Sequence, residues 1–378
     1  MSTPAIIIPA DLLPVDGRFG CGPSKVRPSA VAALAAEAGE YLGTSHRQAP
    51  VKFMVSRLRN AVAELFALPD GYEVILGNGG TTTFWDAAVF GLIEQKSQHL
   101  TFGEFSSKFA ECATRAPFLS DPSIINSPTG SAPTAQAEAG IDLYALTHNE
   151  TSTGVAMPIV RPEGTDPGAL VAVDATSAAG GLEFDASQTD VYYFAPQKCL
   201  ASDGGLWIAA VSPTAIDRIE RLASSGRWVP ASLDLKIALD NSLKDQTYNT
   251  PALATIFLAV QQLEWINQNG GLRFSSGRSA RSAEILYGWA ERTDYATPYV
   301  TDPTLRSNVV ATIDIDDSID AAMVSKVLRA NDVVDTESYR KLGRNQLRVA
   351  LFPAIDAEDV NQLTRCIDHV VGELRSLN

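Results

Sequence analysis

Two hydrophobic patterns alternate along most of this 378-residue chain. Short runs predict strands, Glu73 to Gly77, Gln98 to Phe102, Ser123 to Ser127, Ile141 to Thr147, Leu170 to Val173, Val191 to Phe194 and Leu206 to Val211, the last four apolar enough to be buried on both faces. Between them lie segments of helical period. In one, Val51, Val55, Leu58, Val62, Leu65 and Phe66 share a face, and an alanine-rich segment, a segment from Glu104 and the stretch Pro213 to Ser225 read similarly. Leu233 to Ser242 fits neither pattern cleanly. Asn249 or Thr250 is placed to cap the helix that follows, with Pro251 in its first turn. Past Gly270-Gly271 the rhythm changes to helix, strand (Val309 to Ile315), helix, strand (Gln346 to Phe352) and a last helix from Ala357. The patterns predict an α/β protein: an N-terminal segment (1–15), a large domain with a mostly parallel sheet covered on both faces (16–270), and a smaller α/β domain (271–378).

In such sheets ligands gather at the carboxyl ends of the strands, so the polar residues there carry the chemistry. Asp174 closes the strand LVAVD, and Lys198 follows the strand VYYF after Ala-Pro-Gln. A lysine on a turn between strands is ordinarily a solvated residue, and a strand-end aspartate is often a turn residue. Between buried strands, however, an ammonium and a carboxylate are costly unless each finds a partner. A lysine that loses its proton there is a nucleophile toward a carbonyl carbon. The segment GNGGTTTFWDAAVF reads as glycine turn then helix, with Thr81, Thr82 and Thr83 where free N–H groups and the helix dipole favour an anion, although threonines there also serve as plain caps. It matches neither GxGxxG nor a Walker loop. His46 and Arg47 lie side by side in a polar loop, which solvation alone would also explain. Phe105, near a strand-end turn, offers an aromatic face.

Composition narrows the partners. A net charge of −14 argues against nucleic acid and makes any local arginine informative. No apolar run reaches the ~18 residues that span a bilayer, and the proline-broken N-terminus does not read as a signal peptide. Four scattered cysteines without a CxxC pair favour reduced thiols in a cytoplasm, and four histidines without ligand spacing make a metal site improbable. A lysine, a strand-end Asp, an aromatic face and a phosphate-ready helix start together match the needs of pyridoxal 5′-phosphate: a Schiff-base lysine, an acid for the ring nitrogen, a stacking ring and an anion site.

Carried by FGCGPSKV, TSHRQAPV, NGGTTTFWDA, HNETSTG, VDATS, FAPQK, TYNTPA and LRVALFP, nearly the whole chain resembles the phosphoserine aminotransferases, of the class V group of fold-type I pyridoxal phosphate enzymes, and their actinobacterial form most of all. The resemblance implies that Lys198 carries the cofactor and moves the proton at the substrate α-carbon, that Asp174 pairs with the ring nitrogen, and that Phe105 stacks on the ring. It implies that Thr151 holds the phenolic oxygen, and that Thr81, Thr82 and Gln197 surround the phosphate. Asn249 and Thr250 would complete that site from the neighbouring subunit of a homodimer with shared active sites. Arg348 would hold the substrate α-carboxylate. His46 and Arg47 would bind the phosphate of phosphoserine or the side-chain carboxylate of glutamate. Lys341 and Arg344 are both candidates for a further phosphate contact, and Cys21 stands where the family usually has Ser before Gly-Pro.

The expected reaction is reversible transamination between 3-phosphohydroxypyruvate and L-glutamate, giving O-phospho-L-serine and 2-oxoglutarate; a phosphohydroxythreonine step in pyridoxine biosynthesis is open. The rival is a class V transaminase of the alanine–glyoxylate or serine–pyruvate type, which the His46-Arg47 pair disfavours because those substrates carry no second anion. A non-catalytic pyridoxal phosphate fold is disfavoured by Lys198, Asp174 and Arg348 together. Cys199, directly after Lys198, is badly placed for a desulfurase.

Overall fold

The computed structural model describes residues 4–377. Seven strands, β1 (Glu73–Asn78), β2 (Ser97–Thr101), β3 (Ser123–Asn126), β4 (Leu143–Thr147), β5 (Leu170–Asp174), β6 (Val191–Phe194) and β7 (Leu206–Val211), form one sheet in the order β1-β7-β6-β5-β4-β2-β3. β3, β2, β4, β5 and β6 run parallel, and β7 is antiparallel to both β6 and β1. One reversed strand makes the sheet mostly parallel rather than wholly so. Its β6–β7 connection carries Lys198.

The central strands are apolar on both faces because both faces are covered, whereas β3, at the edge, leaves Ile124 half exposed. Along β5, Val171 and Val173 join the cluster that includes α1 (Pro28–Tyr41), α2 (Ala49–Leu65) and α7 (Leu253–Gln268). Leu170 and Ala172 join the opposite cluster, with α3 (Thr81–Gly91), α4 (Glu104–Arg115), α5 (Pro213–Ala223) and α6 (Leu235–Ser242). The two-residue period of a strand therefore turns Asp174 toward the α3 side.

The C-terminal part has a three-stranded antiparallel sheet, β8 (Ala296–Pro298), β9 (Val310–Ile315) and β10 (Gln346–Ala350), with α8 (Gly271–Arg292), α9 (Ala321–Ala330) and α10 (Ala357–Ser376). The N-terminal segment joins this part. Ile8 N donates to Asn331 Oδ1 (2.9 Å), Phe19 N to Val334 O (3.2 Å), and Ala350 N to Phe19 O (3.0 Å).

Two local expectations are revised. Neither Asn249 nor Thr250 caps α7, which starts at Leu253 with Ala252 as its N-cap and no side-chain cap bond. Pro251 disfavours helical backbone at Thr250, whose hydroxyl lies 3.2 Å from His46 Nδ1 instead. The ambiguous stretch at 233–242 holds the short helix α6, capped by Asp234, whose carboxylate accepts from Lys236 N (2.8 Å) and Ile237 N (3.3 Å). Eight residues are too few for a helical period to stand out.

Two buried histidines tie stability to pH. His99 Nε2 lies 2.9 Å from Ser97 Oγ, and His148 Nδ1 lies 3.0 Å from the Tyr192 hydroxyl. Burial pushes both imidazoles down to about 3. The unfolded chain takes up a proton at each near pH ~6.5, which the folded chain does not. Their contribution is therefore complete above that pH and falls as pH drops toward 3, by up to ~1.4 kcal/mol per histidine per pH unit. Urea midpoints measured at pH 7 and pH 5 should show this loss, and His99→Leu should remove about half of it.

Candidate active site

A cavity of about 310 Å³ lies at the carboxyl ends of β4, β5 and β6. Eight of the residues singled out in the sequence line it: Lys198, Asp174, Thr81, Thr82, Phe105, Thr151, Gln197 and Arg348. Lys198 and Asp174 are both buried, at 7% and 6% exposure. Burial lowers the proton affinity of Lys198, and attraction to Asp174 is the strongest opposing influence. Burial raises the Asp174 carboxyl, against the donors that bind it. Lys198 Nζ donates to Thr151 Oγ1 (2.9 Å), which donates to Ser177 Oγ (2.9 Å), which in turn donates to Asn149 O (3.1 Å). Lys198 Nζ also lies 5.3 Å from the Phe105 ring centroid. Gly22, at φ +134°, passes so close that a Cβ there would meet Lys198 Cε at 2.8 Å. Cys21 beside it lines the cavity, and burial pushes its thiol up.

Several polar groups in this region lack a protein partner. Gln197 Oε1 and Arg348 Nε are buried without one, while Arg348 Nη1 donates to Thr151 O (3.2 Å). The start of α3 has no side-chain cap; its N-cap is Gly80, and the threonines occupy its first turn rather than the cap.

Glu150, wholly buried, fixes the aromatic wall. Its carboxylate accepts from Ser106 N (2.9 Å), Phe105 N (3.1 Å), Ser106 Oγ (3.0 Å), Ser152 N (3.2 Å) and Ser152 Oγ (2.7 Å). It caps α4 from a distant turn and thereby holds Phe105. Gly103 permits this approach, since a Cβ there would meet Glu150 Cγ at 2.3 Å. Glu150 is part of the Asn-Glu-Thr strand end visible in the sequence, but its role was not legible there. The same holds for Trp85, whose indole Nε1 donates to Asp174 Oδ2 (3.0 Å), and for Tyr339, whose ring lies 5.9 Å from that of Phe105 and under the Arg348 guanidinium at 5.2 Å.

His46, Arg47, Asn249 and Thr250 do not line this cavity. They form a second group, joined by the His46–Thr250 contact and by Arg47 Nη1 donating to Gln246 Oε1 (2.9 Å). The Thr250 carbonyl accepts from Asn78 Nδ2 (2.8 Å), just before the glycine turn that leads into α3. Of the two candidate phosphate contacts, Arg344 is bound bidentately to Asp314 (3.1 and 2.5 Å) and sits over the Tyr299 ring. Lys341 pairs with Glu104 and lines an adjoining cavity of about 350 Å³ that shares Tyr339 with the first.

The family described as Aminotransferase class-V matches residues 124–363. Curated relatives named phosphoserine aminotransferase, from Rhodococcus jostii (strain RHA1) and a Nocardioides species, are each 61% identical over 373 residues, spanning 99% and 98% of this chain and 99% and 100% of their own lengths. A solved phosphoserine aminotransferase from Cytophaga hutchinsonii shares the fold with a TM-score of 0.85 at 24% identity, covering 94% of this chain and 99% of its own. The chain belongs to the class V aminotransferase family. Within it, full-length relatives at this identity carry the name phosphoserine aminotransferase.

Replacing Glu150 by Ala leaves its buried donors without an acceptor, at ~1–3 kcal/mol for each that water cannot reach. Urea denaturation of Glu150→Ala should show a loss of about 3 kcal/mol or more, and near-UV circular dichroism should show a loosened aromatic environment.

Proposed function

We propose that this protein is a phosphoserine aminotransferase that exchanges an amino group between L-glutamate and 3-phosphohydroxypyruvate, forming 2-oxoglutarate and O-phospho-L-serine. The observation that carries this reading is the meeting of Lys198, Asp174 and Arg348 in one cavity, in a chain 61% identical to full-length relatives of that name.

The cavity suits pyridoxal 5′-phosphate. Asp174 Oδ2 accepts a single bond, from Trp85, and retains capacity for a ring N–H. The uncapped start of α3, with Thr81 and Thr82 in its first turn and Gln197 lining the same cavity, suits a phosphate. Phe105 supplies the flat face, and Thr151 a hydroxyl for the phenolic oxygen. When bound, the cofactor supplies the carbonyl for amine exchange and a ring that draws electrons from the substrate α-carbon. The chain does the rest. Lys198, its proton affinity lowered by burial, is the nucleophile and then the proton carrier at the α-carbon. Asp174 keeps the ring nitrogen protonated. Arg348 orients the α-carboxylate, where a planar guanidinium is suited to bidentate binding.

The second group belongs, in this reading, to the neighbouring subunit of a homodimer. Asn249 and Thr250 complete its phosphate site, and His46 and Arg47 meet the second anion of phosphoserine or glutamate. In support, Phe53, Leu243 and Tyr248 are large apolar residues left exposed, as residues of a subunit contact would be in a single chain. One basic pocket that accepts either anion explains how two donors use one site in turn. We take 271–378 as the smaller domain and 16–270 as the larger, preceded by the 1–15 segment. We place the enzyme in the cytoplasm: none of its four cysteines is paired, and among the described residues no helix is long and apolar enough to cross a membrane.

The test is a comparison of half-reactions. Phosphoserine and glutamate should each discharge the visible absorption of the bound cofactor, with alanine and serine far slower. Borohydride should fix the cofactor to the peptide that contains Lys198, and a colourless protein with an unmodified peptide overturns the reading. Arg47→Ala should lower kcat/KM for phosphoserine by about 10- to 100-fold, the range for a lost hydrogen bond to a charged group, and leave alanine almost unchanged. Equal losses on both substrates would exclude the pair as the anion reader.

A further inference from the structure

Helix α3 reaches the cavity at two levels. Its first turn carries Thr81, and Trp85, four residues on and on the same face, lies beside Asp174. Trp85 and Asp174 are 3% and 6% exposed, and the indole N–H donates to Asp174 Oδ2 at 3.0 Å. The other oxygen is already doubly bound: Thr176 N and Thr176 Oγ1 donate to Oδ1 at 2.9 and 2.6 Å. Among the described residues Trp85 therefore supplies the single protein donor to the oxygen that keeps a free lone pair. The fold leaves the indole little freedom. Strand alternation turns Asp174 to the α3 side, its partner across the β5–β6 ladder is Tyr193, and Phe84, the residue before Trp85, stacks on Tyr193 at 4.3 Å.

We propose that Trp85 is a positioning residue that holds Asp174 ionised and aimed at the cofactor ring nitrogen, so that α3 registers both ends of the cofactor, phosphate and ring, from one rigid element. A donor to the charged form of a carboxylate favours that form. It opposes the burial that pushes the Asp174 carboxyl up. Without the indole N–H, Oδ2 loses its protein donor, and the carboxylate is held through Thr176 alone. The inference rests on the pyridoxal phosphate reading above, and the experiment separates the two.

Cofactor affinity and the pH titration of its visible absorption are measured for the wild type, Trp85→Phe, Asp174→Asn and the double variant. Wild-type binding comes first; if it fails, the cofactor reading falls and this inference with it. If it holds, Trp85→Phe should weaken cofactor binding about tenfold, as expected for a lost hydrogen bond to a charged group. It should also move the titration midpoint in the direction that Asp174→Asn does. In the Asp174→Asn background the same substitution should change affinity less than about twofold, because residues that act through one another are not additive. A tenfold loss that persists in that background, or wild-type affinity and midpoint in Trp85→Phe, overturns the role of Trp85 alone. Should Trp85→Phe not fold, Trp85→Tyr enters the same cycle with the same criteria.

Discussion

An ammonium and a carboxylate withdrawn from water at the ends of neighbouring strands are a costly feature of this fold, and much of the surrounding structure answers to them. Each alone would be expelled or neutralised. Held in one cavity they offset part of each other's burial, and the hydroxyls of Thr151 and Thr176 with the Trp85 indole offset a further part, although burial still prevails at both groups. The geometry of the sheet makes this possible. Asp174 ends a strand that runs parallel to β6, and Lys198 follows the end of β6, so both emerge on the same edge. The side chains then sit where the backbone no longer needs its own ladder partners. A site that must hold charge near a flat, uncharged ring surface is built at the boundary between the dry sheet and its mouth.

The architecture was legible in the sequence wherever burial on both faces wrote a continuous apolar run. β5, β6 and β7 begin where those runs predict, and β5 ends one residue further on, at Asp174 itself. It was less legible where a segment is short or where proline competes with a cap, as at α6 and before α7. The site divides along the same line. Lys198 and Asp174 stand out because they fall between buried strands, where each charge needs a partner, in a chain that also offers a phosphate-ready helix start and an aromatic face. Trp85 and Glu150 do not, since an indole on an apolar helix reads as core and a buried acid reads as a turn. Their partners lie 89 and 44 positions away, a separation that local patterning cannot bridge.

The two groups of polar residues differ in kind. Those around Lys198 are tied together through buried hydroxyls and a distant carboxylate, and each has a fixed place. Those around His46 and Arg47 are more exposed and joined by side-chain contacts at the surface. Rigid placement suits the residues that must meet a ring of constant shape. Looser placement suits the proposed role of that group, a pocket for a phosphate in one half of the cycle and a carboxylate in the other. Lys341 and Arg344, between which the motif does not choose, are each paired with a carboxylate in the folded chain, Glu104 and Asp314 respectively.

The union of residues near the start of the chain with its last sheet makes one wall of the cavity depend on both. Phe19 bonds to Val334 and Ala350, and the segment it belongs to leads directly to Cys21 and Gly22 at the mouth of the cavity. A nascent chain that stops before β10 already contains the whole seven-stranded sheet, with Lys198 and Asp174 in reach of each other. It has no Arg348, and it has only part of the surface on which its own beginning must lie. The cavity is therefore walled only when residues from near both ends of the chain, Cys21, Gly22 and Arg348, are in place together. Truncation near the C-terminus and truncation near the N-terminus thus injure the same wall.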